Sequence, residues 1–132
     1  MYYLDTNTCI YFLNGRYESV KNHIASIPID EMRIPSMVKA ELLYGAYKSN
    51  RKKDTLDKVE TFLSMFEIEA FSDEMAEVYA EIRAELDSKG TPIGPNDFVI
   101  AATVLSRGGT LVTHNVKEFS RVPGLNILDW VE

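Results

Sequence analysis

Cysteine is almost missing from this chain: Cys9 stands alone, so no disulfide can form within it. That suits a reducing compartment and leaves the thiol as a small apolar residue of the first helix. Long hydrophobic runs are missing too, since nothing approaches the ~18 consecutive apolar residues of a membrane span. The N-terminus carries no basic segment ahead of a long apolar one, as a secretory leader would. A cytoplasmic location with no membrane partner is therefore expected. Histidine is scarce, and His23 and His114 are scattered without zinc-ligand spacing; His23 reads as a surface or packing residue. There is no Gly-x-x-x-x-Gly-Lys phosphate loop and no Gly-x-Ser-x-Gly turn. These absences argue against a nucleoside triphosphatase of the usual kind and against a serine hydrolase. Positive charge is also in deficit. A net charge of −6 argues against a broad basic surface that grips nucleic acid.

What is present suits a globular protein. At 132 residues, with 45% hydrophobic and 26% charged side chains, the chain is expected to form a single α/β domain spanning 1–132. No repeat, low-complexity linker or break in composition divides it. An acidic total is also what results when several carboxylates are kept together to hold a cation. The basic residues do cluster, with Lys48, Arg51, Lys52 and Lys53 inside six positions. Such a cluster is either a solvated helix junction or a contact for a polyanion.

Met1-Tyr2-Tyr3-Leu4 ends abruptly on Asp5, followed by Thr6 and Asn7, short side chains able to cap a helix, and then by the apolar run from Cys9 to Leu13. The pattern reads as a buried strand, an acid and a helix. Asn14-Gly15 breaks that helix, and a second short one is expected over 17–26. Met32 to Ile34 reads as a strand, and Ser36 as the cap of a helix reaching about Lys48. On that helix Met37, Val38, Glu41, Tyr44 and Gly45 share a face, so Glu41 interrupts an apolar stripe. Leu56, Val59, Phe62, Leu63 and Phe66 make the next helix amphipathic. Phe66 to Phe71 alternates as a half-buried edge strand would. A long helix is expected over 73–89, closed by Gly90, with Met75, Val78, Tyr79, Ile82 and Leu86 inward. Gly94-Pro95 announces another, with Asp97 in its first turn and Ile100, Ala101, Val104 and Leu105 on its face. Thr110 to Thr113 reads as a fourth strand leading into a polar loop or short turn, and Leu125 to Trp130 as a fifth. Strands and helices alternating in this way predict a doubly wound α/β fold, three layers deep, with about five parallel strands.

Four acids then share one kind of place. Asp5 follows the first strand, Glu41 lies on an inward helix face, Asp97 opens a buried helix and Glu118 comes just past the fourth strand. If the first and fourth strands are neighbours, all four reach the carboxyl edge of the sheet, where ligands of such folds bind. Carboxylates so close cannot all stay ionised without compensation, which a divalent cation supplies. All-oxygen ligation selects Mg²⁺ or Mn²⁺, and such sites serve phosphoryl chemistry by activating water and steadying the oxygens of an in-line displacement.

Leu4-Asp5-Thr6-Asn7, the run Ala40-Glu41-Leu42-Leu43-Tyr44-Gly45-Ala46, the run from Ile93 to Ala102, Leu111-Val112-Thr113-His114-Asn115, Glu118-Phe119 and Val122-Pro123-Gly124-Leu125 resemble, in order, the PIN-domain ribonucleases of the VapC toxin type. The resemblance spans essentially the whole chain. It implies a metal-dependent endoribonuclease, the toxin of a toxin–antitoxin pair, with Asp5, Glu41 and Asp97 holding Mg²⁺ or Mn²⁺ and Thr6 orienting the site. Many relatives carry an aspartate where this chain has Asn115, so either Glu118 takes over as the fourth metal-site residue or Asn115 ligates through its carbonyl or through water. The resemblance further implies a small VapB-like antitoxin as partner, a toxin homodimer, DNA contact only through the antitoxin, and structured RNA, often tRNA, as substrate. Lys48, Arg51, Lys52, Lys53, Arg16 and Lys39 are the candidates to hold its phosphates. A catalytically weakened PIN-like binding protein and a receiver-like signalling domain are the alternatives. The second lacks the paired acids and terminal lysine that it needs.

Overall fold

Tyr3, Leu4, Ile34, Leu111 and Val112 are almost wholly removed from solvent, as strands covered by helices on both faces must be. The computed structural model describes residues 1–132. Its strands are β1 (Tyr2–Leu4), β2 (Met32–Pro35), β3 (Glu67–Glu69), β4 (Thr110–Val112) and β5 (Asn126–Leu128), and its helices are α1 (Thr6–Asn14), α2 (Glu18–Ser26), α3 (Ser36–Lys48), α4 (Lys52–Leu63), α5 (Asp73–Ser88), α6 (Pro95–Arg107) and α7 (Val116–Phe119). All strand pairs are parallel, in the order β3-β2-β1-β4-β5. The chain moves outward from β1 through β2 to β3, then crosses back to lay β4 on the other side of β1. Connections therefore leave β1 and β4 in opposite directions, which opens a crevice at their carboxyl ends. The Asp5 N–H donates to Val112 O at 3.1 Å and carries the β1–β4 pairing to the lip of that crevice.

The elements follow the expected order, and several local expectations are corrected. Asp5 itself caps α1, accepting the Thr8 N–H at 2.9 Å, so Thr6 and Asn7 are already helical. Pro35 occupies the cap position of α3 and Ser36 is its first helical residue, with no side-chain cap bond. The buried stripe of α3 is Val38, Leu42 and Ala46, one residue round from the expected face, and Tyr44 is 63% exposed. Glu41 consequently lies at the margin of the stripe, where a carboxylate meets both protein and water. His23 stacks on Trp130 with ring centroids 5.1 Å apart, and Cys9 is buried with its thiol held well above the ordinary range by that burial.

The edge strand departs furthest from its pattern. Glu69 is buried, accepting from the Tyr3 hydroxyl at 3.1 Å, Arg33 Nη1 at 2.9 Å and Arg107 Nη2 at 3.2 Å. Its neighbour Glu67 stays exposed and pairs only with Arg33. Tyr3 also explains a glycine. A Cβ at Gly109 would stand 2.5 Å from Tyr3 Cε2, so only glycine lets α6 turn into β4 over that ring.

Burial raises the Glu69 carboxyl pKa, but Arg33, Tyr3 and Arg107 outweigh it and hold the group below its usual 4.5. Stability from this depressed group is present above that value and lost as pH falls through the folded one. Glu69→Gln is expected to cost about 1–2 kcal/mol at neutral pH, given two partly exposed arginines. Urea melts across the acid range would show the difference from wild type vanishing towards low pH.

Candidate active site

Asp5 sits where β1 ends and α1 begins, 4% exposed. Its backbone continues the sheet and its Oδ1 caps the helix, so two secondary structures fix one carboxylate. Burial raises its pKa, hydrogen bonds from Thr113 and Thr8 pull it back, and the charge of Glu41 adds a further upward push.

Glu41 arrives from α3 and is held on both oxygens. The Thr6 hydroxyl donates to Oε1 at 2.6 Å and Asn96 Nδ2 donates to Oε2 at 3.3 Å. Thus α1, α3 and α6 converge on a single side chain. Asp97 comes from the first turn of α6, whose chain start at Gly94-Pro95 is preset by proline at the first helical position. A Cβ on Gly94 would stand 3.3 Å from Asp97 Oδ2, so glycine keeps that space clear for the carboxylate. Desolvation and the charges of Glu41, Glu118 and Asp5 together push Asp97 up to about 6. Opposing them, the N-termini of α1 and α6 present positive dipole ends near Asp5 and Asp97.

The fourth strand contributes through its loop. The Asn115 N–H donates to Thr113 Oγ1 at 3.0 Å, and Asn115 Nδ2 donates to Glu118 Oε2 at 3.0 Å. Asn115 thereby lines the cleft, while Glu118 is bonded to it without lining the cleft itself. The cleft has a volume of about 130 Å³ and is lined by Asp5, Thr6, Glu41, Asp97 and Asn115, with Asn7 at its edge and Ile100 and Phe119 as apolar wall. No three acidic, histidine or cysteine side chains lie together closely enough to hold a metal ion. The donor set nevertheless has the chemistry a hard divalent cation takes, all oxygen with a surplus of negative charge.

The basic candidates lie elsewhere, and none lines the cleft. Lys48 covers the Tyr44 ring and Lys52 the Tyr47 ring, each at 5.1 Å. Arg51 pairs with Asp54 at 3.1 Å, Lys53 is solvated, and Lys39 borders a groove with Leu43 and Ile68. Arg16 covers Tyr11 and Tyr17. Sequence reading missed Asn96, Thr113 and Asn7. The position of Asn96 directly before Asp97, at the start of a helix aimed into the crevice, was the available signal for the first.

The PIN domain pattern matches residues 2–125. Ribonuclease VapC2 of Rickettsia felis is 41% identical over 131 residues, covering 98% of each chain. The chain belongs to the VapC ribonucleases of the PIN-domain family. The tRNA(fMet)-specific endonuclease VapC of Salmonella typhimurium is 42% identical over 127 residues, with 96% of each chain covered. Among solved structures, the DNA-bound VapBC complex of Salmonella typhimurium contains a chain that superposes with a TM-score of 0.93 at 41% identity, covering 98% of this chain and 97% of that one. The three-layer α/β/α architecture is thus that of a PIN domain. A receiver-like reading is set aside on the same ground, since its strand order is 2-1-3-4-5 whereas the VapC-type order here is 3-2-1-4-5.

A carboxyl raised above its unfolded value of 3.8 stabilises the fold while protonated and loses that contribution as pH rises through about 6. In chelator, Asp97→Asn is expected to melt above wild type at pH 7 and alongside it near pH 4. Thermal scans at both values check this, and a variant that melts lower at pH 7 would contradict the repulsion.

Proposed function

We propose that this chain is an endoribonuclease toxin that hydrolyses phosphodiester bonds of structured RNA at the Asp5 crevice, using Mg²⁺ or Mn²⁺. The observation that carries the reading is the meeting of Asp5, Glu41 and Asp97 in one cleft at the topological switch point, where desolvation, and after it the charges of Glu41, Glu118 and Asp5, push Asp97 up to about 6. Asp5, Glu41, Asp97 and Glu118 would hold the cation. Once bound there, it would supply Lewis acidity and positive charge for an in-line displacement at phosphorus.

The chain's own groups do the positioning. Thr8 N–H fixes Asp5 Oδ1, while Thr6 and Asn96 clamp both oxygens of Glu41. Asn115 takes the role of orienting Glu118 through its amide, and Glu118 supplies the fourth carboxylate. Ile100 and Phe119 wall one side of the cleft and limit bulk water there. Lys48 lies roughly 10 Å further along α3 than Glu41, so it and Arg51, Lys52 and Lys53 serve as phosphate contacts for RNA extending beyond the crevice. The substrate class proposed is tRNA, following the named specificity of the Salmonella relative.

The partner is a VapB-like antitoxin, as in the VapBC complexes. An apolar groove of about 480 Å³ between α1 and α4, walled by Phe12, Leu13, Phe62 and Met65, suits the apolar face of an antitoxin helix. No helix is long and apolar enough to cross a membrane, which agrees with action in the cytoplasm.

Purified protein incubated with tRNA and Mg²⁺ or Mn²⁺ is expected to cut it, and chelator to stop the cutting. Asp5→Asn and Asp97→Asn should abolish cleavage while circular dichroism stays native. Thr6→Val and Asn96→Ala, which touch only the orientation of Glu41, should lose about 10- to 100-fold. Chelator-resistant cleavage, or full activity in Asp97→Asn, would reject the mechanism. Separately, Met65→Glu is expected to weaken antitoxin binding at least about 10-fold by placing a charge in an apolar groove; calorimetry with the paired antitoxin reads it.

A further inference from the structure

The acidic crevice does not end at its carboxylates. Tyr11 follows Asn7 by four residues on α1 and so lies on the same helix face, and His114 directly precedes Asn115; Asn7 and Asn115 both border the crevice. Just beyond that rim, Tyr11, Tyr17 and His114 cluster. The two tyrosine rings meet edge to face with centroids 4.8 Å apart, and the imidazole stands 6.3 Å from Tyr11 and 6.1 Å from Tyr17. The Arg16 guanidinium lies 5.7 and 5.2 Å from the two tyrosine centroids.

Tyr11 and Tyr17 are half-buried against the core, whereas Arg16 and His114 are open to solvent. The Gly15 turn, with φ of +68°, returns the chain so that Arg16 N–H donates to Tyr11 O at 3.1 Å. His114 Nδ1 lies 2.9 Å from Asp129 Oδ2, which sets the plane of the imidazole, and its side chain remains 45% exposed. Packing alone needs neither an oriented surface imidazole nor a guanidinium laid over two rings. Rings anchored on the core, with an oriented imidazole and one cation exposed at their edge, make the kind of surface on which unpaired nucleobases stack.

We infer that Arg16, Tyr11, Tyr17 and His114 form a stacking subsite for an unpaired nucleobase of the RNA, flanking the phosphodiester that enters the crevice. The inference rests on the ribonuclease reading and adds a demand for single-stranded RNA beside the cut. A duplex, with its bases already stacked, offers this subsite nothing but backbone.

Binding of a fluorescein-labelled RNA hairpin with an unpaired loop, and of a matched duplex, is measured by anisotropy on the full chain in chelator, alongside cleavage in Mg²⁺ or Mn²⁺. His114→Ala and Arg16→Ala are expected to weaken the hairpin about 10-fold, the scale of one stacked base. His114→Ala should leave the duplex alone. His114→Phe should restore binding and His114→Asn should not, because the first keeps a ring and the second keeps only a partner for Asp129. Unchanged hairpin affinity in His114→Ala, rescue by Asn in place of Phe, or no RNA binding by the wild type overturns the subsite. So does a His114→Ala variant that loses the antitoxin and keeps RNA, which would make the surface a protein contact. Ring-dependent binding without cleavage would reject the ribonuclease reading and keep the subsite, whereas cleavage with ring-independent binding would do the reverse.

Discussion

Mutual repulsion among carboxylates is the constraint that the rest of this structure has to accommodate. In a desolvated crevice the charges of Glu41, Glu118 and Asp5 add to burial in disfavouring the ionised form of Asp97, and Glu41 does the same to Asp5. Left alone, such groups would swing apart into water. Here three of the four are tethered: Asp5 by a helix cap, Glu41 by Thr6 and Asn96, Glu118 by the Asn115 amide. The helix N-termini of α1 and α6 offset part of the repulsion without removing it.

The scaffold makes those tethers possible because its strands are short and its crossovers reverse direction between β1 and β4. Short strands end their hydrogen bonding almost as soon as it starts, so α1 and α3 begin within a residue or two of β1 and β2 and bring Asp5 and Glu41 to the crevice that the start of α6 also enters. The core beneath is closely packed enough that Gly109 cannot carry a Cβ beside Tyr3. A second charged cluster, around Glu69, shows the opposite arrangement. There arginines and a tyrosine hydroxyl satisfy the carboxylate, its pKa falls, and nothing is left over to bind a ligand. The contrast separates a structural buried acid from one held short of partners.

Much of this was legible from residue order. Alternating strands and helices, the abrupt acid after the first strand, and the proline-opened helix carrying Asp97 all follow from local preferences that act over a few residues. Errors arose where tertiary contacts override local pattern. Ser36 and Thr6 are good caps by type, but β2 runs to Pro35 and Asp5 already serves α1. The buried face of α3 is turned by one residue from the apolar pattern, because Tyr44 and Gly45 look apolar without being enclosed. Glu69 reads as a solvent-facing residue of an edge strand until Arg33 and Arg107 are seen beside it.

Sequence by itself therefore determined the element order, the α/β class and the family, and it named Asp5, Glu41 and Asp97, which line the crevice, since spacing and residue type are properties of the chain. Tertiary structure alone decided that β4 lies against β1, that Asn96 and Thr6 clamp Glu41 from two helices, that Asn115 carries Glu118, and that Tyr11, Arg16 and Tyr17 meet His114 about a hundred residues later in the chain. The physical reason is separation along the backbone. Contacts between residues that far apart form only when the whole sheet closes, and no local preference of either partner encodes the other.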